Sequence, residues 1–361
     1  MIQAICRRLR DSDPPGLQGL PRSGVVLGID RDPMAKVTLL LFDDRGVITA
    51  VAKVARDPGA EPALRNEAAA LHRLAGEDLS SLRTQVPAPL LLERVRGRLV
   101  LASTVVPGAP LSVSYYTPGH VVAPKSVTAD FALAGGGLTA LQRETVTPSS
   151  TLREAYERFV VPIRERYQIR FGVSDWEAEV FAAIEDEVRD HAALRIPTPL
   201  LHGDYAIGNI LVRGNALAGV VDWELSRAAA MPLLDVLKFA ASYSSFLDRA
   251  QPPHAGSLRG HPGWHAASER WPAPAGWSNL SGFMYGFFGD GWYPELVRRF
   301  VAEHATRLGL PPSVLPLLLR VFVMEQATVL DNPVYADGYR ALLRTVHESV
   351  TRPALGPVGA R

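Results

Sequence analysis

The chain has 361 residues, 47% of them apolar, and carries 38 Lys and Arg against 37 Asp and Glu. That length suits about two domains or lobes of ~150 residues each, and the apolar share supports a core without disulfides or structural metals. A net charge of +1 gives no basic excess to hold nucleic acid, and the single cysteine, Cys6, excludes disulfide frameworks and cysteine-based zinc sites within one chain.

Residues 1–20 read as a flexible lead. Met1 to Gly16 is charged and proline-bearing with no apolar core, so it does not read as a secretory signal. From 21 to 106 the texture is strand-rich. Val37–Phe42 and Val47–Val54 are apolar runs on either side of the turn residues Asp43-Asp44-Arg45-Gly46. Ala63–Leu74 places Leu64, Ala68, Leu71 and Leu74 at helical spacing. Leu90–Val95 and Arg98–Val106 flank Arg96-Gly97 as a second hairpin. Strand, strand, helix, strand, strand describes a small sheet with one helix packed on it.

Pro107-Gly108-Ala109-Pro110 breaks this pattern, and 107–361 reads as mostly helical. Ser174 and Glu177 form a capping box that starts a helix with Trp176, Val180, Ile184 and Val188 on one face. Gly135–Gly137 reads as a linker or weak helix. Residues 250–293, rich in Gly, Pro, Trp and Phe, read as an insertion or lid. Their histidines, His254, His261 and His265, lack the cysteines or helical pairing that a zinc site needs and read as loop residues. Val314–Met324 is apolar but short and carries Arg320, which fits a buried helix rather than a membrane span.

The chemistry concentrates in 200–224. Ile210–Val212 and Leu217–Val221 are short apolar strands about Arg213-Gly214-Asn215-Ala216, a hairpin. Whether the loop has two residues or four, Asn209 falls opposite Val220, and Asp222, two residues further on, shares its face. An amide oxygen and a carboxylate so placed are oxygen ligands of the kind magnesium takes. Asp204 lies in the loop that enters the hairpin, where a carboxylate can accept a proton from an attacking hydroxyl. Lysine adds a further signal. Lys36, Lys53, Lys125 and Lys238 are the only four among 38 cationic residues, so Lys53 inside an apolar strand requires a reason.

His202-Gly-Asp204 followed by Asn209, and Val221-Asp222-Trp223-Glu224, resemble the catalytic loop and metal-binding segment of the aminoglycoside phosphotransferase and choline kinase superfamily, relatives of the protein kinases. Ala50-Val-Ala-Lys53-Val-Ala55 resembles that family's phosphate-binding strand, Leu64–Leu71 with Glu67 the helix whose glutamate pairs with the lysine, and Leu99–Leu111 the hinge. The resemblance spans roughly 21–245. It implies an α+β, protein-kinase-like two-lobed fold: an N-terminal sheet lobe, 21–106, and a larger helical lobe, 107–361. It implies ATP and Mg²⁺ as cofactors, with Lys53 and Glu67 serving phosphate and backbone groups of Ser103, Thr104 and Val105 serving adenine. Asn209 and Asp222 would hold the metal, Asp204 would be the catalytic base and His202 would orient its loop. Asp235 would brace the core. Two departures stand out: 28–37 lacks a glycine-rich phosphate loop, and the catalytic loop reads Tyr205-Ala-Ile-Gly208 where relatives often carry a His-Pro-Gly type sequence.

The expected activity is transfer of the γ-phosphoryl group of ATP to a hydroxyl of a small molecule in the cytoplasm, with no nucleic-acid or membrane partner. A neutral or mildly charged metabolite or natural product is the expected acceptor. Residues 226–361 hold ten acidic against thirteen basic residues, a poor match to a polycation, and Trp264, Trp271, Trp277 and Trp292 crowd the proposed lid beside Phe283, Tyr285, Phe287 and Phe288. The alternatives are an aminoglycoside-modifying kinase and a pseudokinase-type nucleotide-binding module.

Overall fold

The computed structural model describes the chain except residues 30–35, 77–84, 146, 246, 248–263, 275–276, 278, 330–331 and 352–361. The chain divides into two compact units, 1–111 with 202–228, and 112–201 with 229–361. The division expected at 106/107 therefore shifts by a few residues, and the hairpin segment expected to carry the chemistry groups with the N-terminal sheet.

The first unit is built on a five-stranded antiparallel sheet, β1 (Ser23–Ile29), β2 (Lys36–Phe42), β3 (Ile48–Ala55), β4 (Pro89–Val95) and β5 (Arg98–Ser103), in the order β1-β2-β3-β5-β4. Helix α1 (Ile2–Ser12) corrects the flexible lead expected at 1–20. Ile5, Cys6 and Leu9 fall on one face of it and are fully buried, packed with Leu39, Leu41, Ala50 and Ala52. Helix α2 (Glu61–Gly76) follows β3, and the four residues expected on its inner face, Leu64, Ala68, Leu71 and Leu74, are all buried. Each leucine so placed contributes about 1.5–3 kcal/mol of transfer free energy. The same face carries Glu67, so packing of the apolar stripe fixes where that carboxylate points.

Strand β6 (Ala109–Pro110) in this unit pairs with β9 (Ile210–Arg213), which pairs with β10 (Ala216–Val220). Gly214 and Asn215 form the turn, since Arg213 pairs with Ala216. The register then shifts: Leu217 pairs with Val212 but Gly219 with Leu211, leaving Ala218 as the extra residue of a bulge. A Cβ on Gly219 would stand 2.3 Å from the carbonyl of Gln85, whose oxygen accepts from the amide of Val220 at 2.8 Å. Close approach of that segment requires glycine there.

Among the described residues, the second unit is helical apart from a two-stranded ladder, β7 (Thr147–Thr151) with β8 (Arg195–Thr198). Its helices are α3 (Leu111–Tyr115), α4 (Pro124–Thr145), α5 (Leu152–Ala155), α6 (Val161–Phe171), α7 (Asp175–Asp190), α8 (Leu234–Ser245), α9 (Trp264–Arg270), α10 (Asn279–Phe288), α11 (Trp292–Arg307), α12 (Leu315–Val329) and α13 (Pro333–Thr351). The Ser174–Glu177 capping box opens α7 as expected. Gly135–Gly137 lies inside α4 rather than in a linker, with Gly135 against Phe300 and His304 of α11.

The lid expected at 250–293 is corrected where the structure describes it. Helix α10 is a core helix: Leu280, Phe283, Met284, Tyr285 and Phe287 are buried, as is Trp277. Phe283 stacks on Phe287 at 4.3 Å between ring centroids, and Tyr285 on Tyr293 at 5.9 Å. An aromatic face this apolar gains more from burial than from solvent contact. His254 and His261 lie outside the described residues. One stretch, Pro312–Val329, is long and apolar enough to cross a membrane, yet 61% of it is buried inside the protein. Within it Arg320 is buried and ion-paired with Glu187 at 2.7 Å, as a core helix permits.

Candidate active site

Strand β3 places Lys53 opposite Thr38 of β2 and Leu101 of β5, in the middle of the sheet. Its ammonium donates to Glu67 Oε1 at 2.6 Å and Oε2 at 2.7 Å, and to Asp222 Oδ1 at 2.7 Å. A buried ammonium needs such partners, because an unpaired charge in the interior costs several kcal/mol. Burial pulls the Lys53 pKa down, but Asp222 and Glu67 outweigh it and the net direction is up. For Asp222 burial pushes up, while Lys53 and Lys36 pull harder, so the carboxyl lies below its usual value. The pair is therefore ionised.

Asp222 does not continue the strand. Its φ is 70°, in the left-handed region, so strand alternation no longer sets its direction. The bulge adds a second departure. The amide of Val221 donates to Asn209 O at 3.0 Å, so Val221 rather than Val220 stands opposite Asn209. The strand argument for a common face of Asn209 and Asp222 therefore no longer applies.

What Asn209 does instead is hold Asp204. Its Nδ2 donates to the Asp204 carbonyl at 2.9 Å and to Asp204 Oδ2 at 2.9 Å. With the nitrogen committed, Oδ1 is the atom left with ligand capacity. Gly203 makes the loop possible: its φ is 87°, and a Cβ there would lie 2.3 Å from the Leu225 carbonyl oxygen. His202 is fully buried. The amide of Asp204 donates to its Nδ1 at 3.2 Å, so Nε2 bears the proton and donates to Val221 O at 3.0 Å. Burial lowers its pKa to about 4 against the pull of Asp204 and Asp222, and the ring is neutral. The expected orienting role fits these bonds. Trp223 packs on the ring at 4.4 Å between centroids and donates from Nε1 to Val220 O at 3.0 Å.

Oxygens of Glu67, Asp222 and Glu224 lie within 4.8 Å of one another, a hard-ligand set suited to a magnesium ion. Sequence reasoning assigned no role to Glu224 or to Lys36, which ion-pairs with Glu224 and stands 3.8 Å from Asp222 Oδ1. The rarity of lysine was the available signal for Lys36. Strand β5 ends at Ser103, and the Thr104 amide already donates to Ala88 O at 2.9 Å while Thr104 Oγ1 accepts from the Ala88 amide at 2.8 Å. Of the three hinge residues, Thr104 thus has its amide committed, and Ser103 and Val105 are half-buried beside it. In the second unit Asp235 is buried in the first turn of α8.

Among solved structures, the apo form of a thermostable mutant of aminoglycoside phosphotransferase APH(4)-Ia is 14% identical, with a TM-score of 0.53 over 92% of this chain and 96% of that one. A ternary complex of a thermostable mutant of the same enzyme with AMP-PNP and hygromycin B is 13% identical, with a TM-score of 0.55 over 98% and 99%. Macrolide 2'-phosphotransferase MphH from Brachybacterium faecium is 16% identical, with a TM-score of 0.45 over 95% and 97%. No curated protein matches the sequence. At these identities the APH(4)-Ia structures establish the fold, which is the kinase-like one expected. A family model carries the rest: it matches residues 37–269, more than half of the sequence, and the chain belongs to the phosphotransferase enzyme family.

Proposed function

We propose that the protein is an ATP-dependent kinase that phosphorylates a hydroxyl of a small molecule. The observation that carries this is Lys53, half-buried and bonded to both Glu67 and Asp222, because a cation so placed serves a polyphosphate and the carboxylate that holds its metal at once. The APH(4)-Ia complexes with AMP-PNP or ADP and hygromycin B lend support by fold.

In this reading Lys53, held straight by Glu67, meets the α- and β-phosphates. Ser103 to Val105 meet adenine. Asp222 and Asn209 Oδ1, with Glu67 and Glu224 beside Asp222, would hold Mg²⁺. When bound, the ion would neutralise charge on the phosphate oxygens. Asp204 accepts the proton of the acceptor hydroxyl and aligns it. Asn209 Nδ2 fixes that carboxylate, and the neutral His202 fixes the backbone beneath it. Positioning and electrostatics supply most of the rate in such transfers.

For the acceptor, the burial of the aromatic residues of α10 removes them as a binding surface. The charge balance of 226–361, ten acidic against thirteen basic, still favours a neutral or mildly charged hydroxyl compound over a polycation. The test is ATP consumption and phosphate transfer across a panel of neutral alcohols, sugars and aminoglycosides, with calorimetric binding of ATP and magnesium. Binding without transfer to any hydroxyl compound would leave a pseudokinase; absence of nucleotide binding would overturn the proposal. Efficient phosphorylation of kanamycin-class compounds alone would overturn the acceptor class only.

A further inference from the structure

Lys36 has no role in the scheme above, yet it is one of only four lysines in the chain. It opens β2, opposite Ala55, two residues before Thr38, which pairs with Lys53. Residues at such positions share a face of the sheet. Its side chain is 14% exposed and ion-pairs with Glu224, with Asp222 Oδ1 at 3.8 Å. Lys53 bonds that same oxygen at 2.7 Å. Two ammonium groups therefore crowd one carboxylate oxygen, tolerated because Glu67, Asp222 and Glu224 surround them.

We propose that Lys36 is a second phosphate-binding lysine, parked on Glu224 and Asp222 until a magnesium nucleotide arrives. The inference rests on the nucleotide-binding reading of this site. Its physical basis is charge replacement. Three carboxylates and two lysines carry a net charge of −1. A divalent cation held among the carboxylates would compete with Lys36 for the oxygens of Glu224 and Asp222, while Glu67 keeps Lys53 in place. The Lys36 ammonium would then be surplus positive charge beside a polyphosphate, and ion pairing with its oxygens is the lowest-cost outcome.

The sequence supplies the second argument. A glycine-rich loop binds phosphate through a nest of backbone amides. The segment that joins β1 to β2 contains no glycine after Gly28, and it ends at Lys36. A side-chain cation at the end of that segment supplies by charge what the missing glycines would supply by amide donors. Lysine suits the task better than arginine, because a compact ammonium on a flexible stem can leave one set of oxygens for another.

The test is equilibrium calorimetry of the full chain with magnesium and three probes, β,γ-imido-ATP, ADP and adenosine, for the wild type, Lys36→Met, Lys36→Arg and Lys53→Met. Lys36→Met is expected to weaken imido-ATP about tenfold, the loss of one charge-assisted contact, with adenosine unchanged and Lys36→Arg recovering part of the loss. If Lys36→Met does not fold, Lys36→Gln, which can still donate to Glu224, carries the same comparison. Imido-ATP affinity within twofold of wild type in the Lys36 variant, alongside a loss in Lys53→Met, would overturn the role of Lys36 and leave the kinase reading intact. A wild type that binds none of the probes would overturn both.

Discussion

His202 donates from Nε2 to the carbonyl of Val221 at 3.0 Å while its Nδ1 accepts from the amide of Asp204 at 3.2 Å. One neutral imidazole thus joins the loop that carries Asp204 to the strand end that delivers Asp222. His202→Leu keeps the volume and removes both bonds, leaving a buried amide and carbonyl unsatisfied at about 1–3 kcal/mol each. Turnover is expected to fall at least tenfold with a small change in nucleotide affinity, and denaturant titration should show the stability loss. His202→Asn, which can donate and accept, should recover part of both. Full activity in His202→Leu would show that the bridge is dispensable.

Acid should destabilise the protein through two buried histidines. Burial lowers His202 and His304 from 6.5 to about 4, so both are neutral in the folded state. The unfolded chain binds protons first. The stabilising contribution is present above pH 6.5 and is lost as pH falls through the window down to about 4, by up to about 3 kcal/mol for each group. Neither ring nitrogen of His304 has a hydrogen-bond partner among the described residues, so His304→Leu costs no bond. It is expected to keep stability at pH 7.5 within about 1 kcal/mol and to flatten the decline between pH 6.5 and 4. An unchanged acid profile in urea titrations would exclude His304 as a contributor.

Asp204→Asn should abolish phosphoryl transfer while nucleotide binding persists, because in the proposed function Asp204 meets the acceptor hydroxyl and not the nucleotide. Asn209→Ala should also lower turnover, since its Nδ2 fixes Asp204 Oδ2 at 2.9 Å. The two effects share one interaction, so the double variant should cost less than the sum. A double-mutant cycle on kcat reads this directly, and additive losses would separate Asn209 from Asp204.

Gly203→Ala should unfold or strongly destabilise the loop that carries Asp204. A φ of 87° is a conformation L-residues avoid, and the added Cβ would meet the Leu225 carbonyl oxygen at 2.3 Å. Strain of this kind costs about 1–3 kcal/mol before the clash is counted. A lowered melting temperature with turnover reduced beyond the loss of folded protein is the expected result. Wild-type behaviour of both would mean that the loop relaxes freely.

Local pattern was enough for β2 to β5, α2 and α7 and for the residue types of the candidate site, but not for α1 or α10. The 3.6-residue spacing of Leu64, Ala68, Leu71 and Leu74 determined α2, and with it the inward direction of Glu67, because an apolar stripe has one face to bury. Lysine scarcity singled out Lys53, and the spacing of His202, Asp204, Asn209 and Asp222 marked the candidate site. Four things needed the tertiary structure. The bulge at Ala218 displaces the Asn209 register by one residue, and it depends on the approach of Gln85 to Gly219, over 130 residues away in sequence. The left-handed backbone of Asp222 turns its carboxylate to Lys53, which no alternation rule foresees. Lys36 meets Glu224 across 188 positions, and the aromatic residues of α10 are core rather than lid because other helices of the second unit cover them. Sequence periodicity reports which residues want burial or pairing; which partners they find is decided by chain segments brought together only in the folded state.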